Sequence, residues 1–272
     1  MEKIYLSCDI EGIWGNSNPS YTIQGGYLYE EYCTNMLNEV NLVIDLLFQN
    51  GVKEVVVNDG HGNMDNMLPS KLDSRAGYVS GNGAYKEFGM MEGFDSSFDG
   101  VMFIGYHSRS NTLGVMAHTI WGTMINHIVV DGKELGESGI NALLAKELGV
   151  PVLLASGDSE YGKQVKEELD CVFVETKKTL NAQSCLCPSK NELVNRYKIG
   201  IENALKSPFI SSSVSSHTMD ITFHHSRNAD FVSRMDGVEL IDSCTVRLSK
   251  PDYYSLYKYM RFVIKVCNAY GK

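Results

Sequence analysis

The chain has 272 residues, 43% of them hydrophobic and 21% charged, enough for one large domain or a large one with a smaller companion. Its 33 acidic against 24 basic residues leave a net charge of −9, which disfavours a nucleic-acid partner, because phosphate neutralisation needs a basic surface. No basic run suggests a membrane surface, no apolar stretch approaches the roughly 18 residues of a membrane span, and MEKIYLSCDIEG lacks a signal-peptide layout; the expected location is the cytoplasm.

The first apolar run, KIYLSCD, reads as a strand. Residues 27–51 read as a helix: Met36, Val40, Val43, Ile44 and Leu47 recur at helical spacing, and Gly51 supplies a stop. VKEVVVND and GVMFIGYH are further strands, and INHIVVDGKEL is a strand whose Asp-Gly signals a tight turn. ESGINALLAKELG is a helix and VPVLLASGD a buried strand. Helical SEYGKQVKEEL, strand CVFVET and helical SKNELVNRYKIGIENALK follow. Continuous Val/Ile/Leu runs alternating with helices predict an α/β fold, a mostly parallel sheet with flanking helices. After Lys206 the texture changes: the Ser-rich stretch from residue 207 suits a linker or exposed edge. MDITFHH, VELIDSCTVRLS and a long helix, DYYSLYKYMRFVIKVCNAY, then predict a smaller C-terminal α+β unit. The expected division is 1–206, a metal-binding catalytic domain, and 207–272, the smaller domain.

The ends of the strands carry the chemistry. Successive strand side chains point to opposite faces, so Asp9 and Glu11 share one side if the chain stays extended, with Gly12 allowing a turn after them. Two carboxylates aimed at one point repel each other unless a cation sits there, and no basic residue follows Lys3 in this segment. A solvated acidic turn is the bland alternative, and it is favoured on this stretch alone. Two later strands, VVVNDGHG and VMFIGYHS, end in His61 and His107. In open α/β sheets functional groups collect at the carboxyl ends of strands, and a mixed N/O set at three such ends shifts the balance to a divalent metal. Glu137 opens a helix, where the helix dipole alone favours an acid, but Gly136 and Gly139 let backbone approach closely. His118 suits general acid/base work near a metal or plain packing. His127 reads as structural, and His217, His224 and His225 as surface or packing residues. Asn58, Asp59 and Asp158 are candidate supports, the first two fixing the His61 tautomer. The seven cysteines are scattered and odd in number, which argues against a disulfide framework. Most are expected to be reduced, buried hydrophobes, and Cys185-x-Cys187 alone is weak metal evidence.

SCDIEG, VNDGHG, GYHSRS, GVMAHT and GESGINA together, in this order and spacing, resemble the DppA-type zinc D-aminopeptidases over nearly the whole chain. That resemblance implies a two-zinc site with Asp9 bridging, Glu11 and His107 on one ion, His61 and Glu137 on the other. It also implies a catalytic His118, described in the family as a nucleophile; general acid/base work is at least as plausible chemically. It implies a short peptide substrate with an N-terminal D-residue and a ring-like homo-oligomer, a decamer. The ligand set itself suits zinc, manganese or cobalt. Two departures stand out: one extra residue in the turn before Glu137, which leaves Glu137 preferred over Glu134, and FHHSRNADF in the C-terminal unit. The alternatives are a two-metal hydrolase of another amide or a phosphoester, and a non-catalytic metal-stabilised assembly protein. The metals, or an acidic neighbour such as Asp158, are the candidates for holding a substrate amine.

Overall fold

A computed structural model describes residues 1–206 and 218–271 of the chain. His217, the Ser-rich stretch from residue 207 and the expected boundary's downstream side lie outside the described residues.

The first strand, β1 (Lys3–Cys8), is an interior strand of the larger sheet. After it come α1 (Tyr29–Gln49), β2 (Glu54–Asp59), β3 (Gly77–Val79) and β4 (Gly100–Tyr106). A hairpin, β5 (Ile125–Val130) and β6 (Lys133–Leu135), leads into α2 (Glu137–Glu147), β7 (Val152–Asp158), α3 (Ser159–Glu168), β8 (Val172–Asn181), β9 (Ser184–Leu186) and α4 (Lys190–Ala204). The described chain resumes with β10 (Thr218–Phe223), α5 (Ser226–Val232), β11 (Val238–Leu240), β12 (Thr245–Ser249) and α6 (Tyr253–Tyr270). The larger sheet has strand order β3-β2-β1-β4-β7-β8-β9 and is parallel except for the β8–β9 pair. The expected α/β class therefore holds.

The two faces of this sheet bury different partners. Ile4, Leu6 and Cys8 point to the side covered by α1 and α4, where Met36, Val40, Val43, Ile44 and Leu47 are fully buried. The helical spacing of those residues thus marks the buried stripe. Tyr5, between them, points the other way, into the core shared with α2, α6 and the second sheet.

The second sheet is antiparallel, in the order β11-β12-β10-β5-β6. Two of its strands, β5 and β6, precede residue 206, so the boundary expected there does not separate the sheets. The Asp131-Gly132 turn closes β5 onto β6 with both residues at positive φ, and β10 then pairs along β5. That pairing is long-range and leaves no local signal. VELIDSCTVRLS is not one strand but two. Asp242 Oδ1 accepts from the backbone N–H of Cys244 and Thr245, both at 2.8 Å, and turns the chain between β11 and β12. The short β3, β9 and α5 also escape periodicity, which needs more residues to register.

Glu39 on α1 is a buried carboxylate inside this frame. It accepts from the Trp14 backbone N–H at 3.0 Å and from the Tyr197 hydroxyl. Burial pushes its pKa from 4.5 up to about 7, against those two hydrogen bonds. The folded chain therefore holds this proton more tightly than the unfolded one. Stability should fall as pH rises from about 4.5 to about 7, and the cost should persist above it. Glu39→Gln, which keeps an acceptor for Trp14, should match wild type near pH 4.5 and exceed it by about 3 kcal/mol above pH 7; thermal melts across that range measure the gap.

Candidate metal centre

Parallel register brings the candidate ligands together. Cys8 at the end of β1 is level with Asp59 on β2 and Ile104 on β4. Asp9 follows Cys8, His61 lies two residues past Asp59, and His107 three past Ile104. Backbone hydrogen bonds continue the alignment: Asp9 N–H to Ile104 O and Gly60 N–H to Cys8 O, both 2.8 Å. Asp9 and Glu11 do converge, but not by continued extension. The strand ends at Cys8, and residues 10–12 turn. The turn fits because Gly12 lies against the Tyr106 carbonyl, where a Cβ would sit 2.0 Å from that oxygen. Gly105, at φ +72°, bulges β4 beneath Asp9; a Cβ there would come within 2.4 Å of the Asp9 carbonyl.

Two triads result: Asp9, Glu11 and His61, then His107, His118 and Glu137, the ligating atoms of each lying within 4.8 Å of one another. His61 Nδ1 is 3.2 Å from Asp9 Oδ1 and 3.1 Å from Glu11 Oε2. His107 Nε2 is 3.5 Å from Asp9 Oδ2 and 3.3 Å from Glu137 Oε1. The two oxygens of Asp9 thus face different triads. His118 Nε2 lies 3.7 Å from Glu137 Oε1, and its ring stacks on His107 at 4.0 Å. The close pairs are Glu11 with His61 and Glu137 with His107. Glu134 points elsewhere, to Arg109 at 3.7 Å.

Each imidazole spends one nitrogen on a backbone carbonyl: His61 Nε2 on Thr22 O at 2.8 Å, His107 Nδ1 on Ser108 O and His118 Nδ1 on Met116 O, both at 2.9 Å. A carbonyl only accepts, so the ring proton sits on that nitrogen and the other offers a lone pair toward the carboxylates. His107 Nε2 is buried with no hydrogen-bond partner. Lone pairs and carboxylates facing one another are unfavourable unless a cation or added protons lie between them. Burial lowers the His61 pKa, but Glu11 and Asp9 raise it well above its usual value. Burial and then Glu137 act on His107 in the same opposed way, leaving it at about 10. Burial, then Glu11, raise Asp9 to about 8, while His61 outweighs burial and holds Glu11 well below its usual range. Burial and neighbouring His107 lower His118. The donor set of imidazole nitrogens and carboxylate oxygens fits divalent zinc, manganese or cobalt, whose binding would replace those protons.

Two buried lysines were not singled out from sequence. Lys177 on β8 donates to the carbonyls of Glu11, Ile13 and Asn16, clamping the turn that carries Glu11. Lys86 donates to Asn58 Oδ1 at 2.8 Å and to the carbonyls of Asp59 and Met64, clamping the His61 loop. Burial lowers the pKa of both ammonium groups. Asp59 serves the His61 backbone N–H at 3.2 Å and those of Asn66 and Met67, not the imidazole; Thr22 sets the tautomer instead. Asp158 is fully buried and caps α3, accepting from Glu160, Tyr161, Thr179 and Val115, and it does not line the cavity into which the triads open, so it is not placed to hold a substrate amine there. His127 pairs with Asn126, and His224 and His225 are exposed. Of the cysteines only Cys8 and Cys267 are buried; Cys185 and Cys187 lie 3.8 Å apart and join no ligand group among the described residues.

The triads open into a cavity of about 910 Å³ walled by Met64, Met116, Ile120, Trp121, Tyr257 and Met260 among others. Met116 and Ile120, at φ +56° and +57°, flank His118 in its loop; such backbone costs energy and is held by its surroundings. The Ile120 N–H donates to Glu137 Oε1 at 2.7 Å, tying that loop to the site. No described helix is long and apolar enough to cross a membrane.

A family model described as D-aminopeptidase matches residues 2–262. A D-aminopeptidase of Bacillus subtilis (strain 168) is 33% identical over 265 residues, covering 95% of each chain. The solved structure described as Zn-dependent D-aminopeptidase DppA from Bacillus subtilis, a self-compartmentalizing protease, superposes with a TM-score of 0.90 at 30% identity, covering 98% of each chain.

Lys177→Met leaves three buried carbonyls without their donor. It should cost about 3 kcal/mol or more of stability and weaken zinc uptake together; thermal unfolding with and without zinc, alongside metal titration, measures both.

Proposed function

The chain belongs to the D-aminopeptidase family, and from that premise we propose that Asp9, Glu11, His61, His107 and Glu137 hold two zinc ions and that it releases the N-terminal D-residue, such as D-alanine, from short peptides. The observation that carries this reading is Asp9, whose two oxygens face separate triads of buried nitrogen and oxygen donors. Asp9 would be shared between the two ions, and Glu11, His61, His107 and Glu137 would complete the protein ligands.

Bound zinc supplies Lewis acidity at the peptide carbonyl and makes water nucleophilic near neutral pH. The chain's own groups do the rest. Three carboxylates against two divalent ions leave the centre net positive, which favours developing negative charge at the carbonyl oxygen. His118 is set apart from the other donors by greater exposure, 27% of its side chain. Its lowered pKa keeps it neutral at physiological pH, and its Nδ1 proton is fixed on Met116 O, leaving Nε2 to take up a proton and pass it to the leaving amine. The cavity volume suits a short peptide rather than a folded chain. The self-compartmentalizing Bacillus protein supports a further proposal, that this chain closes into a ring-like homo-oligomer, a decamer, which light scattering tests.

Asp9→Asn should lose bound zinc and at least about a thousandfold in kcat/KM on a D-alanyl anilide; full metal with full activity would overturn the assignment. His118→Ala should keep its zinc and lose about 100- to 10,000-fold in kcat. L-alanyl substrates cleaved as well as D-alanyl ones would remove the stereochemical claim, and a phosphodiester cleaved faster than any peptide would replace the substrate class.

A further inference from the structure

The acids that line the cavity, Asp9, Glu11 and Glu137, all belong to the metal centre. Its cations sit on another element. Arg261 and Lys265, one turn apart on α6, line the same cavity, followed by Asn268. Lys265 donates to the carbonyls of Ala84 at 3.1 Å and Lys86 at 2.7 Å. Arg261 has no such partner: its Nε is buried without a hydrogen bond, and among the described residues no carboxylate pairs with it. Its guanidinium lies flat on the wall at Gly89, where a Cβ would be 2.4 Å from Cζ, and Gly89 is at φ +56°. That wall is braced, since Gly89 O accepts from Asn58 Nδ2 and Phe88 O from the Tyr257 hydroxyl. A guanidinium with an unsatisfied buried donor, in a cavity whose carboxylates all belong to the metal centre, calls for an anion, and its planar fork matches a carboxylate.

We propose that Arg261, with the Lys265 charge beside it, binds the C-terminal carboxylate of the substrate. The inference rests on the hydrolytic reading above and narrows it: the substrates are short peptides with a free C-terminus. The scissile bond lies at the metal centre and the carboxylate on α6. A capped peptide or an internal segment would leave Arg261 unpaired beside a neutral group, and the enzyme would discriminate through KM.

The test compares D-Ala-Gly and D-Ala-Gly-Gly with their C-terminal amides, using zinc-loaded wild type, Arg261→Met and Arg261→Lys of checked fold and metal content. Wild type should prefer the free acids by about 10- to 100-fold in kcat/KM, mainly through KM. Arg261→Met should bring that ratio close to one, and Arg261→Lys should restore part of it. Calorimetry with the reduced-bond isostere of D-Ala-Gly and its amide reads the same preference without turnover. Hydrolysis with no acid preference in wild type, or a preference that Arg261→Met leaves intact, overturns the subsite and spares the hydrolytic reading. Acid-selective binding that depends on Arg261, without hydrolysis of any peptide, overturns the hydrolytic reading and spares the subsite. If Arg261→Met does not fold, the wild-type ratio and Arg261→Lys decide.

Discussion

Three buried carboxylates, Asp9, Glu11 and Glu137, meet three imidazoles at the carboxyl edge of one sheet, and most of the surrounding architecture serves to hold that arrangement. Left to itself, such a cluster would splay apart or stay hydrated. Here each ring is aimed by a backbone carbonyl, so its free nitrogen turns inward. Two of the ligand-bearing loops, those of Glu11 and His61, are in turn pinned by ammonium groups that spend their hydrogen bonds on carbonyls rather than on the carboxylates. The cations nearest the site therefore brace its walls and leave its charge uncompensated, which is the condition under which a divalent ion binds well.

The fold supplies this edge economically. β1 lies between β2 and β4, so the ends of three adjacent parallel strands deliver Asp9, His61 and His107 to one place. Glycines at 12 and 105 let the backbones approach closely enough for the side chains to meet. The second sheet and α6 then wall the site, which turns an exposed strand edge into a cavity and brings Arg261 to line it. Neither layer is sufficient alone: the first holds the ligands, and the second decides what fits beside them.

Much of this was legible in the chain. The alternation of apolar runs and helical stripes exposed the α/β layering, because packing a sheet on both faces demands it. His61 and His107 stood out because each ends an apolar run, and Glu137 because it opens a helix between glycines. Other features carried no such mark. Lys177 and Lys86 look like ordinary surface lysines until their long-range carbonyl partners are known. Asp158 looked like an available acid, yet four donors already occupy it. The pairing of β10 with β5 joins segments some ninety residues apart, and nothing local announces it.

The sequence by itself determined the ligand types, their order and the strands that carry them, because period and residue chemistry are local properties. It also placed an acid pair at the end of β1, though not the means by which the pair converges. Only the tertiary structure decided that Gly12 turns the chain, that Lys177 holds the turn, that Glu11 sits with His61 and Glu137 with His107, and that Arg261 shares their cavity. Those facts depend on which distant segments lie against one another, and that is settled by the packing of the whole chain rather than by any stretch of it.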